Sequence, residues 1–188
     1  MHRGGWQVSL STGLQNNKLG ILGLGKLGLQ VARVGLAFGM KVQAWSANLT
    51  PERCAECGVV FASREELFAT SDIVTVHLLL SDRTRGLIGA TEFQMMKPTA
   101  YLVNTSRGPI VQESALITAL QAGAIAGAGL DVFDTEPLPQ NHALRGLDNA
   151  VLTGHTGYVM RENYITGYRG AVEAINAWLN GEPVRLLN

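Results

Sequence analysis

Residues 18–28 read KLGILGLGKLG, in which a short apolar run passes directly into the pattern G-x-G-x-x-G. The apolar run predicts a β-strand, and the apolar spacing after it predicts a helix that ends at Gly39. The side chains predicted to share one face of this helix are Leu27, Val31, Val34 and Phe38. Because the glycines lie between a strand and a helix, they indicate a dinucleotide-binding turn rather than an ordinary loop.

Each glycine of the turn has its own physical role. Gly23 would make the tight bend, Gly25 would let the backbone approach a pyrophosphate, and Gly28 would let the helix pack closely on the strand. Lys26 and Leu27 open the helix, where unpaired N–H groups and the helix dipole favour a phosphate. These five residues are therefore predicted to bind the cofactor.

The end of the second predicted strand, residues 41–45, bears on the choice of cofactor. An acidic residue here would accept hydrogen bonds from the ribose of NAD, but the segment after the strand contains no carboxylate. Ser46 and Asn48 could hydrogen-bond either cofactor, and Arg53 is not well placed in the sequence to pair with the extra phosphate of NADP. The sequence thus predicts NAD or NADP and leaves the choice open.

Beyond this point, short apolar runs continue to alternate with amphipathic segments. This alternation predicts right-handed β-α-β crossovers and therefore a Rossmann-type, doubly wound parallel sheet of the α/β class in a single domain. The further predicted strands are residues 59–61, 73–78, 100–103, 126–132 and 150–153. The further predicted helices are residues 51–57, 64–69, 91–96, 112–121 and 161–179.

Composition and charge exclude several classes of function. The 188 residues are 46% hydrophobic and 16% charged, with fifteen basic and fifteen acidic side chains, so no net field favours nucleic acid or an anionic membrane. No apolar run is long enough to span a bilayer and no signal peptide is evident, so we expect a cytoplasmic protein. Cys54 and Cys57 have the C-x-x-C spacing, but they fall late in a short helix and lack a second pair, so no metal site is predicted.

Three later segments place polar residues at the ends of predicted strands, where ligands of open α/β sheets bind. They are Val103–Gly108, Leu130–Pro137 and Leu152–Gly157. Together with the glycine turn, and in this order, they resemble the D-isomer-specific 2-hydroxyacid dehydrogenase family from about Gly5 to the C-terminus. The resemblance implies a hydride transfer between a nicotinamide cofactor and a small 2-hydroxy or 2-oxo acid.

The resemblance also assigns roles to residues of these segments. His155 would be the acid/base, because imidazole titrates near neutral pH, and Glu136 would hold the ring and favour its charged form. Arg107 would clamp the substrate carboxylate with its planar, permanently charged fork. On the cofactor side the resemblance adds His77, Thr105 and Asp131, whereas His142 is predicted to be a solvated loop residue.

The resemblance further implies how the chain is organised. Residues 1–17 would be a linker or a truncated remnant of a substrate domain, and residues 18–180 the dinucleotide-binding domain. Residues 181–188 would be a tail returning to that substrate domain, whose N-terminal part is missing from this sequence. Gly154 replaces the proline that usually precedes the catalytic histidine, which loosens the loop before His155. The family also implies a homodimer.

Three alternatives remain open. The chain could be a truncated, catalytically incompetent NAD(P)-binding or sensing module, although a sensor needs no Arg107, Glu136 and His155. It could be a fragment of a longer protein, in which case the neighbouring coding sequence would supply the rest. A methyltransferase would account for the glycine turn but not for the three later segments.

Overall fold

The structure of the protein, a computed structural model, describes residues 12–186. Seven β-strands span Lys18–Leu22 (β1), Lys41–Trp45 (β2), Val60–Phe61 (β3), Ile73–Val76 (β4), Tyr101–Asn104 (β5), Gly127–Leu130 (β6) and Ala150–Leu152 (β7). Six α-helices span Lys26–Ala37 (α1), Pro51–Glu56 (α2), Arg64–Thr70 (α3), Ala90–Met95 (α4), Glu113–Gln121 (α5) and Arg161–Leu179 (α6). Short 3-10 helices lie at Gly108–Ile110 and Ala143–Gly146. The predicted N-terminal linker lies largely outside the described residues, as do the last two residues of the predicted tail.

The strands form one parallel sheet in the order β3-β2-β1-β4-β5-β6-β7. Leu19 of β1 pairs with Val42 of β2 on one side and with Ile73 of β4 on the other. The strand order therefore reverses at β1, which opens a crevice at the carboxyl ends of β1 and β4. The predicted α/β fold class, a Rossmann-type doubly wound sheet, is confirmed.

Two apolar clusters cover the sheet, because alternate strand residues point to opposite faces. Strand residues such as Leu22 and Val74 belong to the cluster that α3, α4 and α5 cover, with Phe68 fully buried in it. Leu19 and Val42 belong to the other cluster, which contains α1 and α2. The sheet is thus enclosed by helices on both faces, as an all-parallel sheet requires.

Helix α1 packs on the sheet mainly through small residues, and of the apolar face expected from the sequence Val31 alone packs against this cluster among the described residues. Its buried residues are Gly28, Ala32 and Gly35. A Cβ on Gly35 would lie only 2.7 Å from a methyl carbon of Leu19, so a larger residue here would push the Leu19 side chain aside. The large apolar side chains remain exposed, by 70% at Leu27, 55% at Val34 and 59% at Phe38.

The chain divides into two compact units, residues 1–153 and residues 154–188. The first contains the whole sheet and helices α1 to α5. In the second, the described part of the chain buries no side chain of α6; Ile175 and Trp178 are 58% and 68% exposed. The boundaries predicted after residues 17 and 180 remain predictions. Among the described residues, no helix has the length and apolar character to cross a membrane.

Candidate active site

A cavity of about 470 Å³ lies in the crevice where the strand order reverses. Its floor is the glycine turn, and its two walls are residues 45–49, which begin at the end of β2, and the segment 77–87 after β4. The residues predicted to bind the cofactor that line this cavity are Gly23, Gly25, Ser46, Asn48 and His77. The structure therefore brings together half of the predicted cofactor residues in one cavity.

The glycine turn fits a bound pyrophosphate. A Cβ on Gly28 would lie 2.0 Å from the carbonyl oxygen of Gly23, and a Cβ on Gly23 would lie 2.7 Å from the carbonyl oxygen of His77. These two glycines are therefore required by the packing of the turn itself. A Cβ on Gly25, in contrast, would meet no atom within 4 Å, and Gly25 lines the cavity. The missing side chain of Gly25 leaves the space in which a phosphate can approach the backbone.

The start of α1 lies beside this space. The N–H of Leu29 donates to the carbonyl oxygen of Gly25 at 2.9 Å, which is the first intrahelical bond. The N–H groups of Lys26, Leu27 and Gly28 precede it, at the helix positions that have no intrahelical acceptor. Lys26 and Leu27 are exposed and do not line the cavity with their side chains, so any contribution to phosphate binding comes from their backbone.

The wall that follows β2 is polar but uncharged. The N–H of Gly23 donates to the carbonyl oxygen of Trp45 at 2.9 Å, which joins this wall to the glycine turn. Ser46 and Asn48 line the cavity, and no carboxylate is among the described residues that do so. Arg53 is paired with Glu56 on α2 at 2.9 Å and does not line the cavity.

His77 follows β4 and forms part of the opposite wall. Its backbone N–H donates to the carbonyl oxygen of Leu22 at 2.8 Å, and its Nε2 lies 3.0 Å from the Thr75 hydroxyl. Burial lowers the pKa of the imidazole below its usual value. The ring is therefore neutral at pH 7 and adds no charge to the cavity.

Arg107 lies in a turn that a buried asparagine holds in place. Asn104, at the end of β5, accepts a hydrogen bond from the N–H of Ser106 and donates one to the carbonyl oxygen of Arg107, each at 3.0 Å. The Ser106 hydroxyl donates to the carbonyl oxygen of Leu78, which ties this turn to the segment after β4. The Arg107 side chain is exposed, and so is Thr105, which does not line the cavity. Sequence reasoning missed Asn104, although a polar residue ending an apolar strand was a visible signal.

The loop that carries Glu136 contacts this turn. A Cβ on Gly108 would lie 2.1 Å from the carbonyl carbon of Phe133, so the backbone after Arg107 packs directly against the loop. The N–H of Phe133 donates to Oε1 of Glu136 at 2.9 Å. The turn of Arg107 and the loop of Glu136 are therefore neighbours within the first unit.

His142 anchors the far end of the same loop, so its predicted role as a solvated residue is wrong. Its Nε2 lies 3.0 Å from Oε1 of Glu113, and both side chains are about four-fifths buried, being 18% and 21% exposed. Sequence reasoning missed this pair because Glu113 lies on α5, far from His142 in the chain. The Arg145 guanidinium also donates to the carbonyl oxygens of Leu138 and Pro139. Burial, followed by the nearby Glu113 carboxylate, raises the pKa of Asp134 in this loop.

The two remaining predicted residues have different surroundings. Asp131 is buried at the end of β6, where its carboxylate accepts a hydrogen bond from the Thr153 hydroxyl; it does not line the cavity. His155 belongs to the second unit, where its backbone has a left-handed φ of 53° and its ring stands edge-on to Tyr158 at a centroid distance of 5.6 Å. No cluster of side chains within residues 12–186 could hold a metal ion.

A parallel sheet whose strand order reverses beside a glycine turn, with a helix N-terminus facing a cavity, defines a dinucleotide-binding domain of the Rossmann type. Comparison with known proteins narrows this class. Residues 1–157 match the sequence profile described as D-isomer specific 2-hydroxyacid dehydrogenase, NAD binding domain. The chain therefore belongs to the D-isomer specific 2-hydroxyacid dehydrogenase family, which confirms the family and the nicotinamide type of cofactor expected from the sequence.

Individual relatives agree with this membership. A glyoxylate reductase of Aeropyrum pernix is 43% identical over 189 aligned positions, which cover 99% of this chain and 56% of that protein. The structure of a phosphoglycerate oxidoreductase of Vibrio cholerae superposes with a TM-score of 0.89 at 35% identity, covering 96% of this chain and 59% of the other. The structure of a D-lactate dehydrogenase with NAD+ of Lactobacillus jensenii superposes with a TM-score of 0.82 at 28% identity, covering 95% of this chain and 57% of the other. The chain thus spans little more than half the length of these relatives.

Proposed function

We propose that this chain supplies the cofactor domain and the Arg, Glu and His of an enzyme that transfers a hydride between nicotinamide and a small 2-hydroxy or 2-oxo acid. The observation that carries the proposal is the direct packing of the Arg107 turn against the Glu136 loop beside the cofactor crevice. Both segments follow strands of the sheet that also builds the cavity. A domain that only bound a dinucleotide would not need this second set of polar residues.

Arg107 is proposed to bind the substrate carboxylate. Its guanidinium is exposed and donates a hydrogen bond to the carbonyl oxygen of Ser106 at 2.6 Å. A carbonyl oxygen occupies one donor and leaves the other N–H groups of the planar fork for a bidentate contact. Asn104 fixes the backbone from which this fork projects.

His155 and Glu136 are proposed to move the proton. When bound, the nicotinamide supplies or accepts the hydride, and the carbonyl oxygen of a 2-oxo acid then requires a proton. His155 would donate it from the imidazolium form, and the carboxylate of Glu136 would stabilise that form. The N–H of Phe133 holds Oε1 of Glu136 and leaves the charge on the carboxylate intact. The order of these residues in the family motifs supports this assignment.

The proposed substrates are small 2-oxo acids such as glyoxylate and hydroxypyruvate. Relatives named glyoxylate reductase and glyoxylate reductase/hydroxypyruvate reductase are 43% and 40% identical to this chain. Self-association as a homodimer is also proposed, and the apolar side chains that α1 leaves exposed support it. A cytoplasmic location remains a prediction from the sequence.

Turnover by the purified chain tests the proposal. Oxidation of NADH and NADPH is followed by the loss of the absorbance of the reduced nicotinamide, with glyoxylate, hydroxypyruvate and pyruvate as substrates, for the wild type and for His155→Ala. We expect 2-oxo-acid-dependent oxidation that falls by about 100-fold or more in the variant, in line with the usual contribution of an acid/base. Cofactor binding without turnover in the wild type would leave the chain a cofactor-binding module and contradict the proposal.

A further inference from the structure

Among the described residues that line the cavity, one carries a permanent positive charge and none carries a negative charge. Arg83 lines it from the wall after β4, and no carboxylate is among the described lining residues. We propose that this cavity selects the dinucleotide that carries a phosphate on its adenosine ribose, so that NADP binds more tightly than NAD, with Arg83 as the specificity-determining residue. This proposal names the cofactor of the proposed function. It rests on that function in one respect, that the cavity holds a dinucleotide.

The segment that carries Arg83 is held in a compact turn. The Thr84 hydroxyl donates to the carbonyl oxygen of Leu79 at 2.6 Å and accepts from the N–H of Ser81 at 2.8 Å. The N–H groups of Thr84 and Arg85 both donate to the carbonyl oxygen of Ser81, at 3.0 and 2.9 Å. Arg83 lies inside this turn, so its backbone position beside the cavity is fixed by hydrogen bonds on both sides.

The guanidinium of Arg83 is available for a ligand. The side chain is exposed, and among the residues described none forms an ion pair with it. A guanidinium binds a phosphate with paired, charge-assisted hydrogen bonds, which gives it a preference for a ligand with one more phosphate. Its neighbour Asp82 does not line the cavity.

The opposite wall favours the same ligand. NAD-selective sites use a carboxylate after the second strand, which binds the ribose hydroxyls and repels a phosphate there. Ser46 and Asn48 occupy this place, and both can donate a hydrogen bond to a phosphate oxygen. The cavity therefore has donors on one wall, a cation on the other and no group that repels the added phosphate.

The other nearby cations do not fit this role. Arg53 follows β2, the place for a phosphate-binding arginine, but it is paired with Glu56 at 2.9 Å and lies outside the cavity lining. Lys26 is at the start of α1, beside the pyrophosphate turn, and also lies outside the lining. Arg53 therefore provides a matched control for Arg83, since both are exposed arginines on short segments of the same unit.

Equilibrium binding provides the test without requiring turnover. Dissociation constants of NADP+, NAD+, 2′,5′-ADP and 5′-AMP are measured by calorimetry for the wild type, Arg83→Gln and Arg53→Gln. We expect the wild type to bind NADP+ about tenfold or more tightly than NAD+, and 2′,5′-ADP more tightly than 5′-AMP by a similar factor. Arg83→Gln should lose most of this preference with its NAD+ affinity unchanged, and Arg53→Gln should keep it.

Several outcomes would overturn the inference. Equal affinities of the wild type for NADP+ and NAD+, or a preference for NAD+, would do so directly. If Arg83→Gln keeps the preference for NADP+, or binds NADP+ and NAD+ more weakly by the same factor, Arg83 does not determine the specificity. Unchanged NAD+ binding by Arg83→Gln also reports that the variant is folded. NADH-dependent turnover with a 2-oxo acid would leave the proposed function standing in each of these cases, so the two failures are distinguishable.

Discussion

The side-chain nitrogen of Asn104 lies 3.0 Å from the carbonyl oxygen of Arg107, and the other end of the same amide accepts from the N–H of Ser106. Asn104 is 1% exposed, so both bonds are shielded from water. Buried hydrogen bonds of this kind are costly to break because the groups left behind are desolvated. Asn104 is therefore a positioning residue for the proposed substrate-binding arginine.

Replacing Asn104 should separate positioning from general stability. We expect Asn104→Ala to reduce the free energy of unfolding by about 1–3 kcal/mol and to raise KM for the 2-oxo acid by about tenfold, with a smaller change in KM for the cofactor. The control is Asn149→Ala, because Asn149 donates to the carbonyl oxygen of Leu120, at the end of α5. The control should lose stability and keep KM; a parallel rise of KM in both variants would refute the positioning role.

Replacement by alanine should have opposite effects at two glycines of the turn, Gly25 and Gly28. Gly25→Ala should leave the melting temperature nearly unchanged and weaken dinucleotide binding by about tenfold or more, because its new Cβ meets no protein atom and occupies the space for a phosphate. Gly28→Ala should destabilise the fold, because its Cβ would lie 2.0 Å from a backbone oxygen. Thermal unfolding with and without cofactor distinguishes the two effects.

Gly146→Ala supplies the control for this pair, since its Cβ also meets no atom within 4 Å and Gly146 does not line the cavity. It should change neither stability nor cofactor affinity by a measurable factor. Undiminished cofactor binding by Gly25→Ala would mean that the phosphates do not approach the turn.

Glu136→Gln should lower turnover and leave cofactor binding intact. The amide oxygen can still accept from the N–H of Phe133, so the loop is retained while the charge is lost. The proposed carboxylate partner of His155 is then absent, so we expect kcat for 2-oxo acid reduction to fall by about 100-fold. Steady-state kinetics and calorimetry with the cofactor measure the two quantities.

The matched variant for this experiment is Glu113→Gln, which removes a carboxylate paired with a different histidine, His142. It weakens the anchor of the same loop and keeps Glu136, so kcat should stay within about twofold of the wild type. An unchanged kcat in Glu136→Gln would remove Glu136 from its proposed role.

Because His77 is buried, the free energy of unfolding of the protein should decrease in mild acid. Burial lowers the pKa of its imidazole in the folded protein, so the unfolded chain binds this proton more readily. The contribution of neutral His77 to the free energy of unfolding is complete above the unfolded-state pKa of about 6.5. As the pH drops from there towards the lower folded-state pKa, this contribution decreases by up to about 1.4 kcal/mol per pH unit. Denaturant unfolding of the wild type and His77→Gln at pH 5 to 8 measures this. The variant should show a shallower fall below about pH 6.5, and identical slopes would contradict the assignment.

Self-association should depend on the exposed face of α1. Sedimentation velocity at micromolar concentration should give a dimer for the wild type and a monomer for Phe38→Asp, because a charge in an apolar contact is poorly tolerated. Val60→Asp changes another exposed apolar residue, 65% accessible on β3, and should leave the dimer intact. A monomeric wild type would refute the proposal.

Features that depend on local pattern were predictable from the sequence. The strand Lys41–Trp45 and the helix Arg161–Leu179 have the predicted bounds, and the glycine turn lies between a strand and a helix as expected. The packing face of α1 was not predictable from apolar periodicity. That rule assumes that large apolar side chains are the buried ones, whereas Gly35 allows a close contact with Leu19, whose side chain a larger residue would push aside.

The parts of the site that depend on contacts between distant segments were also missed. His142 is held by Glu113 of α5, and Arg83 reaches the cavity because β4 pairs with β1 rather than with β3. Neither relationship leaves a local pattern in the chain. Asn104 is different, because a single polar residue at the end of an apolar strand can be recognised, and its role as a support for a turn follows only from the structure.

The reversal of strand order at β1 also has a consequence for how the chain folds. The pairing of β1 with β2 needs only one intervening helix, whereas its pairing with β4 must close a loop that includes β2, β3 and helices α1 to α3. Closing the longer loop costs more chain entropy and slows folding. A chain with only β1, α1 and β2 in place would have the glycine turn but not the wall that carries His77 and Arg83. A dinucleotide that contacts both the turn and this wall binds only once β1 and β4 have paired, and by mass action its binding stabilises that pairing.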